Sequence, residues 1–160
     1  MTITFPLRSF VRALARRPKT PPMHPDAVFE PRLALPRRID DPVTAARLAS
    51  DLLGNRTEDV TLALYLDDRH RLVGHAIVAV GWVQAAQLSV RPVLFGALAC
   101  RASAFVLVRY HRRGPLSASL AERGSYRALA EAAARQGLVV VDHLVVVGSG
   151  GFSSAFGQRR

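Results

Sequence analysis

The stretch 106–122, VLVRYHRRGPLSASLAE, joins an apolar run to a polar loop and then to a helix-like segment. The run 103–110 is apolar enough to predict a strand at the centre of a sheet. His111 follows this run directly, and Ser119 and Glu122 come later with the spacing of a helix-capping box. A histidine at a strand end, followed by a serine and an acid at a helix start, is equally the frame of a metal site. Both hypotheses stay open on these residues alone.

The flanking sequence predicts helices and strands in mixed order. Asp40 or Asp41 before Pro42 predicts the start of a first helix, which ends at Gly54. Asp142 is predicted to end one closing strand and His143 to open the next. The remaining predicted elements are a hairpin formed by 60–67 and 71–81, a short strand at 82–88, helices at 91–102 and 119–137, and closing strands at 138–148 and 151–156. This order predicts an α/β fold with a mixed sheet flanked by helices.

Composition limits the class of protein. With 160 residues, 49% hydrophobic and 21% charged, the chain is expected to form one domain plus an extension. Cys100 is the only cysteine, which excludes an intramolecular disulfide and predicts a reducing, cytoplasmic setting. No apolar run approaches the roughly 18 residues that span a bilayer, so we expect neither a membrane span nor a signal peptide.

The basic residues are concentrated at the N-terminus. Residues 1–38 hold eight arginine or lysine residues against two acidic ones, so +6 of the formal net charge of +10 lies there. Within this basic arm, 5–17 has the periodicity of a short amphipathic helix, and a proline-rich linker follows. We therefore expect an arm and linker at 1–38 and a folded domain at 39–158. Such an arm favours an anionic partner: nucleic acid, an acidic lipid surface or an acidic protein patch.

From about residue 42 to 156 the chain resembles the RadC-like branch of the JAB/MPN metalloprotease superfamily. The resemblance is carried by YLDDRHRLVGHAIVAVG, VRYHRRGPLSASLAE and VVDHLVVVGSGGFSSAF. It implies an MPN/JAB, cytidine-deaminase-like architecture, zinc-dependent hydrolysis and a customary link to DNA repair. The zinc motif of that family is His-x-His, seven residues, then Ser-x-x-Asp, with a glutamate upstream as general base. Here the same frame reads Arg109-x-His111, seven residues, then Ser119-x-x-Glu122.

Several residues in this frame depart from the chemistry of a zinc hydrolase. Arg109 stands where the first histidine is expected, and a guanidinium has no lone pair to give to a metal. Glu122 in place of aspartate can still bind a metal, but its carboxylate is displaced by one methylene group. The family's general base falls at Ala76 or Ile77, and neither accepts a proton from water. The motif therefore predicts a vestigial metal site with no catalytic residue and no bound cofactor.

These departures favour a non-catalytic domain that serves as a binding or scaffold module, although whether the chain is an enzyme stays open. One alternative is a rearranged zinc peptidase in which His75, His111 and Glu122 bind the metal. Another is a nucleic-acid-associated protein that binds through its arginine-rich arm. Arg109, Arg112 and Arg113 are predicted to form an anion-binding cluster beside His111. A protein partner or an anionic ligand is expected, and the sequence does not fix the oligomeric state.

Overall fold

A computed structural model describes residues 37–54, 56–81, 88–118 and 120–154. The predicted arm helix, most of the predicted strand 82–88 and Ser119 lie outside these residues. Within them, the chain forms three helices and five strands. In chain order they are α1 (Pro42–Leu53), β1 (Val60–Leu66), β2 (Leu72–Val80), α2 (Val90–Ala99), β3 (Ala104–His111), α3 (Leu120–Ala134), β4 (Val139–Val147) and β5 (Phe152–Ser154).

The strands form one mixed sheet in the order β2-β1-β3-β4-β5. The β1–β2 hairpin, the β1–β3 pair and the β4–β5 pair are antiparallel, while β3 and β4 are parallel. The parallel pair is connected through α3, as a parallel connection requires a crossover. The predicted α/β class with a mixed sheet is confirmed, and β3 is the central strand that its apolar sequence predicts.

Helices cover both faces of this sheet. On one face, α1 packs on the even-numbered residues of β3, such as Val106 and Val108. On the other face, α2 and α3 pack on the odd-numbered residues Phe105 and Leu107. Because side chains alternate along a strand, Arg109 shares the α2/α3 face with Leu107. The two faces are called the α1 face and the α2/α3 face below.

Local capping explains where α1 begins. The Asp41 carboxylate accepts hydrogen bonds from the backbone N–H and the hydroxyl of Thr44, at 2.8 and 2.7 Å. These bonds lower the pKa of Asp41, because they favour its charged form. Of the two predicted caps, the structure therefore uses Asp41. None of the described helices is both long enough and apolar enough to cross a bilayer.

Three sequence-based boundaries are wrong. Asp142 and His143 do not separate two strands, because β4 runs without interruption through both. Asp142 fits inside a strand because its carboxylate accepts from the His143 amide at 2.7 Å and the Ser154 hydroxyl at 2.6 Å, beside a register shift in the β3–β4 ladder. The second and third helices also end earlier than predicted, at Ala99 rather than at 102 and at Ala134 rather than at 137.

Candidate functional site

Three of the four residues of the metal-site frame that the sequence singles out come together on the α2/α3 face. Arg109 and His111 lie at the end of β3, and Glu122 lies in the first turn of α3. All three are largely buried, with side-chain exposures of 9%, 10% and 14% respectively. The fourth, Ser119, is outside the described residues, so its part in a capping box is not described either. The strand-loop-helix spacing of the frame thus brings Arg109, His111 and Glu122 into contact.

The guanidinium of Arg109 lies between the other two side chains. Its Nε is 3.2 Å from the Nε2 of His111 and 3.2 Å from the Oε1 of Glu122. The Nε has one hydrogen, which it donates to the Nε2 of His111, whereas the carboxylate of Glu122 contacts the guanidinium as an ion pair. In a zinc site these two atoms would be the metal ligands. Here they hold an arginine instead.

Asp59 fixes the other side of the His111 ring. The Asp59 Oδ2 lies 3.0 Å from the His111 Nδ1, and its Oδ1 accepts from the backbone N–H of Arg112 at 3.2 Å. Because Nε2 already accepts from Arg109, the Nδ1 carries the proton and donates it to Asp59. The result is a continuous chain of contacts: Glu122, Arg109, His111, Asp59. Two carboxylates thus flank one permanent cation and one imidazole.

This donor set does not fit a zinc ion. Zinc in a hydrolytic site takes three protein ligands with free lone pairs and a water. His111 and Glu122 are the only two groups of the described part of the frame that can donate lone pairs, and both are occupied by Arg109. Among the residues that the structure describes, no three His, Cys, Asp or Glu side chains converge on a common point. The described side chains that meet at the end of β3 form an ion pair and a hydrogen bond.

The structure separates His75 from this group. His75 pairs with Leu64, whose side chain belongs to the core on the α1 face. Arg109 and His111 are on the opposite face, so the three ligands of the alternative zinc site, His75, His111 and Glu122, are not assembled. His75 is instead a half-buried histidine of the edge strand β2, with an interaction partner of its own.

The two positions predicted for the general base also lie on different faces. Ala76 pairs with Ala63 and belongs to the core of the α2/α3 face. Ile77 pairs with Leu62 and belongs to the core of the α1 face. Ala76 alone therefore shares a face with Arg109 and His111, and its methyl group accepts no proton.

The predicted arginine cluster is divided in the same way. Arg109 is buried at 7% exposure and is paired with Glu122, whereas Arg112 and Arg113 are exposed on the loop that follows β3. Gly114 of this loop lies against His111, since a Cβ at that position would come within 3.2 Å of the imidazole Cγ. The loop therefore covers the histidine and directs two, not three, arginines to solvent.

A recess of about 340 Å³, counted with its solvent-open part, lies beside the Arg109–Glu122 pair. His143 lines it and stacks on Tyr126 of α3, with ring centroids 5.1 Å apart and planes at 9°. Burial, chiefly, lowers the pKa of His143 to about 4; Glu122 opposes the shift and Arg109 adds to it. The Nδ1 of His143 is buried and has no hydrogen-bond partner among the described residues. This imidazole lines the recess together with apolar residues such as Leu88 and Leu107 and with the polar residues Thr61 and Ser125.

Sequence reasoning missed Asp59 as a site residue. It precedes β1 and lies far along the chain from His111, so no local spacing connects the two. The connection arises because the start of β1 lies beside the end of β3, with Val60 opposite Tyr110. An acidic residue directly before the first strand of the hairpin was the available signal.

Comparisons with known proteins agree with the family resemblance. Residues 39–159 match the model of the RadC-like JAB domain. A UPF0758 protein of Burkholderia mallei is 33% identical over 117 residues, which are 73% of this chain and 42% of the relative. A UPF0758 protein of Bordetella parapertussis is 33% identical over 115 residues, 72% of this chain and 51% of the relative. This chain thus matches about half of the length of these relatives, and with three quarters of its own length covered by the domain model it belongs to the RadC-like JAB domain family.

Proposed function

We propose that this RadC-like JAB domain catalyses no zinc-dependent hydrolysis and acts as a binding or scaffold module. The observation that carries the proposal is the position of the Arg109 Nε, 3.2 Å from both the His111 Nε2 and the Glu122 Oε1. The guanidinium contacts the same two atoms that a metal ion would need as ligands. An internal cation has taken over the electrostatic role of the metal without its Lewis acidity.

Coulomb repulsion favours this proposal. A Zn²⁺ ion about 3 Å from a guanidinium would be repelled by on the order of 10 kcal/mol, even at an effective dielectric constant of about 20. Moving the guanidinium away would break a buried ion pair at a cost of about 3–5 kcal/mol. It would also leave only His111 and Glu122 as ligands, one fewer than a hydrolytic zinc site uses. Both routes to a bound metal are therefore unfavourable.

The absence of a general base at Ala76 and Ile77 also supports a non-catalytic role. Ala76 and Ile77 offer no group that takes a proton from water. His143 lines the neighbouring recess, but a pKa of about 4 makes it a weak base at neutral pH. Without a base or a polarising ion, neither part of the hydrolytic mechanism is supplied by these side chains.

A protein segment or a small anionic ligand is the partner that this surface fits best. The recess has an apolar wall with Leu88 and Leu107, and Arg112 and Arg113 are exposed on the nearby loop. Apolar area supplies affinity, and the two exposed guanidinium groups select for negative charge. With a single cysteine, the chain is suited to a reducing compartment, and we place it in the cytoplasm.

Nucleic-acid binding is the second candidate function. The exposure of Arg112 and Arg113, together with the eight basic residues of the arm, favours it. Affinity that depends on phosphate contacts must fall steeply as salt rises. Binding of a duplex and of a single-stranded oligonucleotide, measured between about 50 and 200 mM salt, tests this candidate; affinity that does not change with salt rejects it.

Metal analysis tests the main proposal. The purified chain is incubated with excess ZnCl₂, desalted and analysed by mass spectrometry for zinc, and titration calorimetry gives the affinity. We expect well under one zinc per chain and no cleavage of peptide or isopeptide substrates. Stoichiometric zinc that is lost in His111→Ala, together with zinc-dependent cleavage, would overturn the proposal.

A further inference from the structure

We infer that the outer surface of α2 and α3 binds an anionic lipid surface, with arginine side chains at the lipid headgroups and the side chains of Phe95, Leu98 and Leu120 inserted between them. This outer surface is the side of the two helices that is turned away from the sheet, and it is called the basic-apolar surface below. It lies on the far side of the helices from the Arg109–Glu122 pair. The inference therefore does not depend on the proposed loss of zinc chemistry.

The exposed side of α2 places two large apolar side chains beside an arginine. Val93 and Ala97 of this helix are buried against the sheet. Arg91, Phe95 and Leu98 are exposed, and their spacing of i, i+4 and i+7 puts them on one face of the helix. Phe95 is 62% exposed and Leu98 is 54% exposed. More than half of each apolar side chain is thus turned to water.

The exposed side of α3 has the same combination. Leu129 and Ala133 are buried on the inner side of this helix. Leu120, Arg123 and Arg127 are exposed on its outer side. Leu120 is 85% exposed, the highest value among the large hydrophobic residues that the structure describes. Each of the two helices therefore contributes both positive charge and apolar area.

The two helices present these side chains in the same direction. They contact each other and cover one face of the sheet, so their outer sides face the same way. With Arg101 and Arg135, which follow the two helices, the described residues here include five exposed arginines and one exposed acidic residue, Glu131. On the other face of the sheet, α1 has one exposed residue of each sign, Arg47 and Asp51. The excess of positive charge thus belongs to the α2/α3 layer.

Charge and exposed apolar area together favour an anionic membrane as the partner. Each arginine near an anionic leaflet is attracted to it. Exposed apolar side chains gain free energy when they enter the boundary between headgroups and acyl chains. Stable attachment of a protein to a membrane generally takes two signals, such as apolar insertion and a basic patch. The basic-apolar surface supplies both signals.

Other partners would use only part of this surface. A nucleic acid would attract the arginines, but Leu98 and Leu120 have no ring to stack on a base. A second copy would bring the same positive charge and would be repelled. A single small anion is too short, because Arg91 and Leu98 alone are about 10 Å apart along the helix. A lipid leaflet engages the charges and the apolar side chains together.

Binding of the full-length chain to lipid vesicles tests the inference. Phosphatidylcholine vesicles with and without phosphatidylglycerol are compared by cosedimentation, and we expect binding only where phosphatidylglycerol is present. The double substitution Phe95→Ser with Leu98→Ser should weaken that binding at least about tenfold. Arg123→Ala with Arg127→Ala should weaken it to a similar extent, at least about tenfold.

Matched control variants come from α1. Val43→Ser removes an exposed apolar side chain, and Arg47→Ala removes an exposed arginine, from the opposite face of the sheet. Both controls should bind vesicles as the wild type does. Circular dichroism should show the same folded state in all variants, because every replaced side chain is exposed. Equal losses in the α1 and α2 variants, or no loss in any variant, would overturn the inference.

Insertion of the Phe95 ring gives an independent readout. In a Trp82→Phe background, Phe95→Trp should be quenched by brominated lipids, and Val43→Trp should not be. Equal quenching at the two positions rejects the assigned surface. Competition identifies the other classes of partner: a duplex oligonucleotide or polyglutamate whose affinity depends on Phe95 and Leu98, while vesicle binding does not, would overturn the inference and assign the surface to a nucleic acid or an acidic polypeptide.

Discussion

The guanidinium of Arg109 in β3 lies 3.2 Å from the carboxylate of Glu122 in α3, and the two side chains are only 9% and 14% exposed. The pair connects the central strand to the helix that crosses over it. Arg109 also donates a hydrogen bond to His111, so one guanidinium interacts with both the carboxylate and the imidazole. A contact at the centre of a metal-site frame has thus become part of the packing of the domain.

Loss of the Arg109 charge should destabilise the domain. Arg109→Leu leaves the Glu122 carboxylate nearly buried and without the guanidinium that neutralises it, so we expect the free energy of unfolding to fall by about 3 kcal/mol. Urea denaturation measures it. The matched control is Arg37→Ala, which removes an ion pair to Asp51 whose side chains are 59% and 67% exposed. That change should cost under about 0.5 kcal/mol; equal losses in the two variants would contradict the prediction.

Arg109→His should create a zinc site. The substitution supplies the missing third ligand beside His111 and Glu122, and Asp59 already orients the His111 ring as carboxylates do for zinc-bound histidines. We expect about one zinc per chain, measured by mass spectrometry, and more complete loading when Glu122→Asp is added. The control is Arg109→His with His111→Ala, which should lose the metal. If neither Arg109→His nor Arg109→His with Glu122→Asp binds zinc, residues other than these two also prevent metal binding.

The tautomer of His111 can be observed directly. Arg109 donates to Nε2 and Asp59 lies 3.0 Å from Nδ1, so we expect the ring proton on Nδ1 rather than on Nε2. Nitrogen-15 NMR of the imidazole distinguishes the two nitrogens. A proton on Nε2 would contradict the contact with Arg109. In Asp59→Ala the Nδ1 preference should weaken, whereas His70, exposed on the hairpin turn, should be unaffected.

Two glycines in helices should respond in opposite directions to alanine. A Cβ at Gly96 in α2 would collide with the hydroxyl of Tyr65, which is fully buried. Gly96→Ala should therefore lower the free energy of unfolding by about 1–3 kcal/mol. A Cβ at Gly124 in α3 meets nothing within 4 Å, so Gly124→Ala should raise stability by about 0.5–1 kcal/mol. Thermal unfolding checks both signs, and a loss of stability in Gly124→Ala would contradict the packing of α3.

The parts of the fold that depend on local pattern are predictable from sequence. The apolar run of β3 predicts the central strand, and the Asp41-Pro42 pair predicts the start of α1. The metal-site frame predicts that Arg109, His111 and Glu122 meet, because a strand end, a loop and a helix start are connected in sequence. Sequence pattern is enough to predict a structural feature that depends on a single helix or strand, or on two that are joined by one loop.

The roles within the site are less predictable, because they depend on contacts between distant segments. The sequence assigns Arg109 to a surface cluster, whereas in the structure it is buried in an ion pair with Glu122. Asp59 carries no motif and acquires its role only when β1 pairs with β3. Asp142 resembles a strand end because it is charged, and its hydrogen-bond partner Ser154 lies on a different strand, β5.

His143 should make stability depend on pH between about 4 and 6.5. Its pKa in the folded state is about 4, against 6.5 as the ordinary value, and the first cause is burial. As pH falls below about 6.5, the unfolded chain takes up the proton before the folded one does. The stability that the neutral imidazole contributes above that pH is therefore lost progressively down to about pH 4, up to about 3 kcal/mol.

Replacement of His143 by phenylalanine isolates this dependence. His143→Phe keeps a ring against Tyr126 but cannot be protonated. Glu122 and Arg109 also face this ring and influence its charge, so the useful quantity is the difference between wild type and variant at each pH. From pH 7 to pH 4, urea denaturation should show a smaller loss of unfolding free energy in His143→Phe. If both proteins lost the same unfolding free energy between pH 7 and pH 4, the pKa of His143 would be the same in the folded and unfolded chain. Its ring would then not be shielded from water by α3.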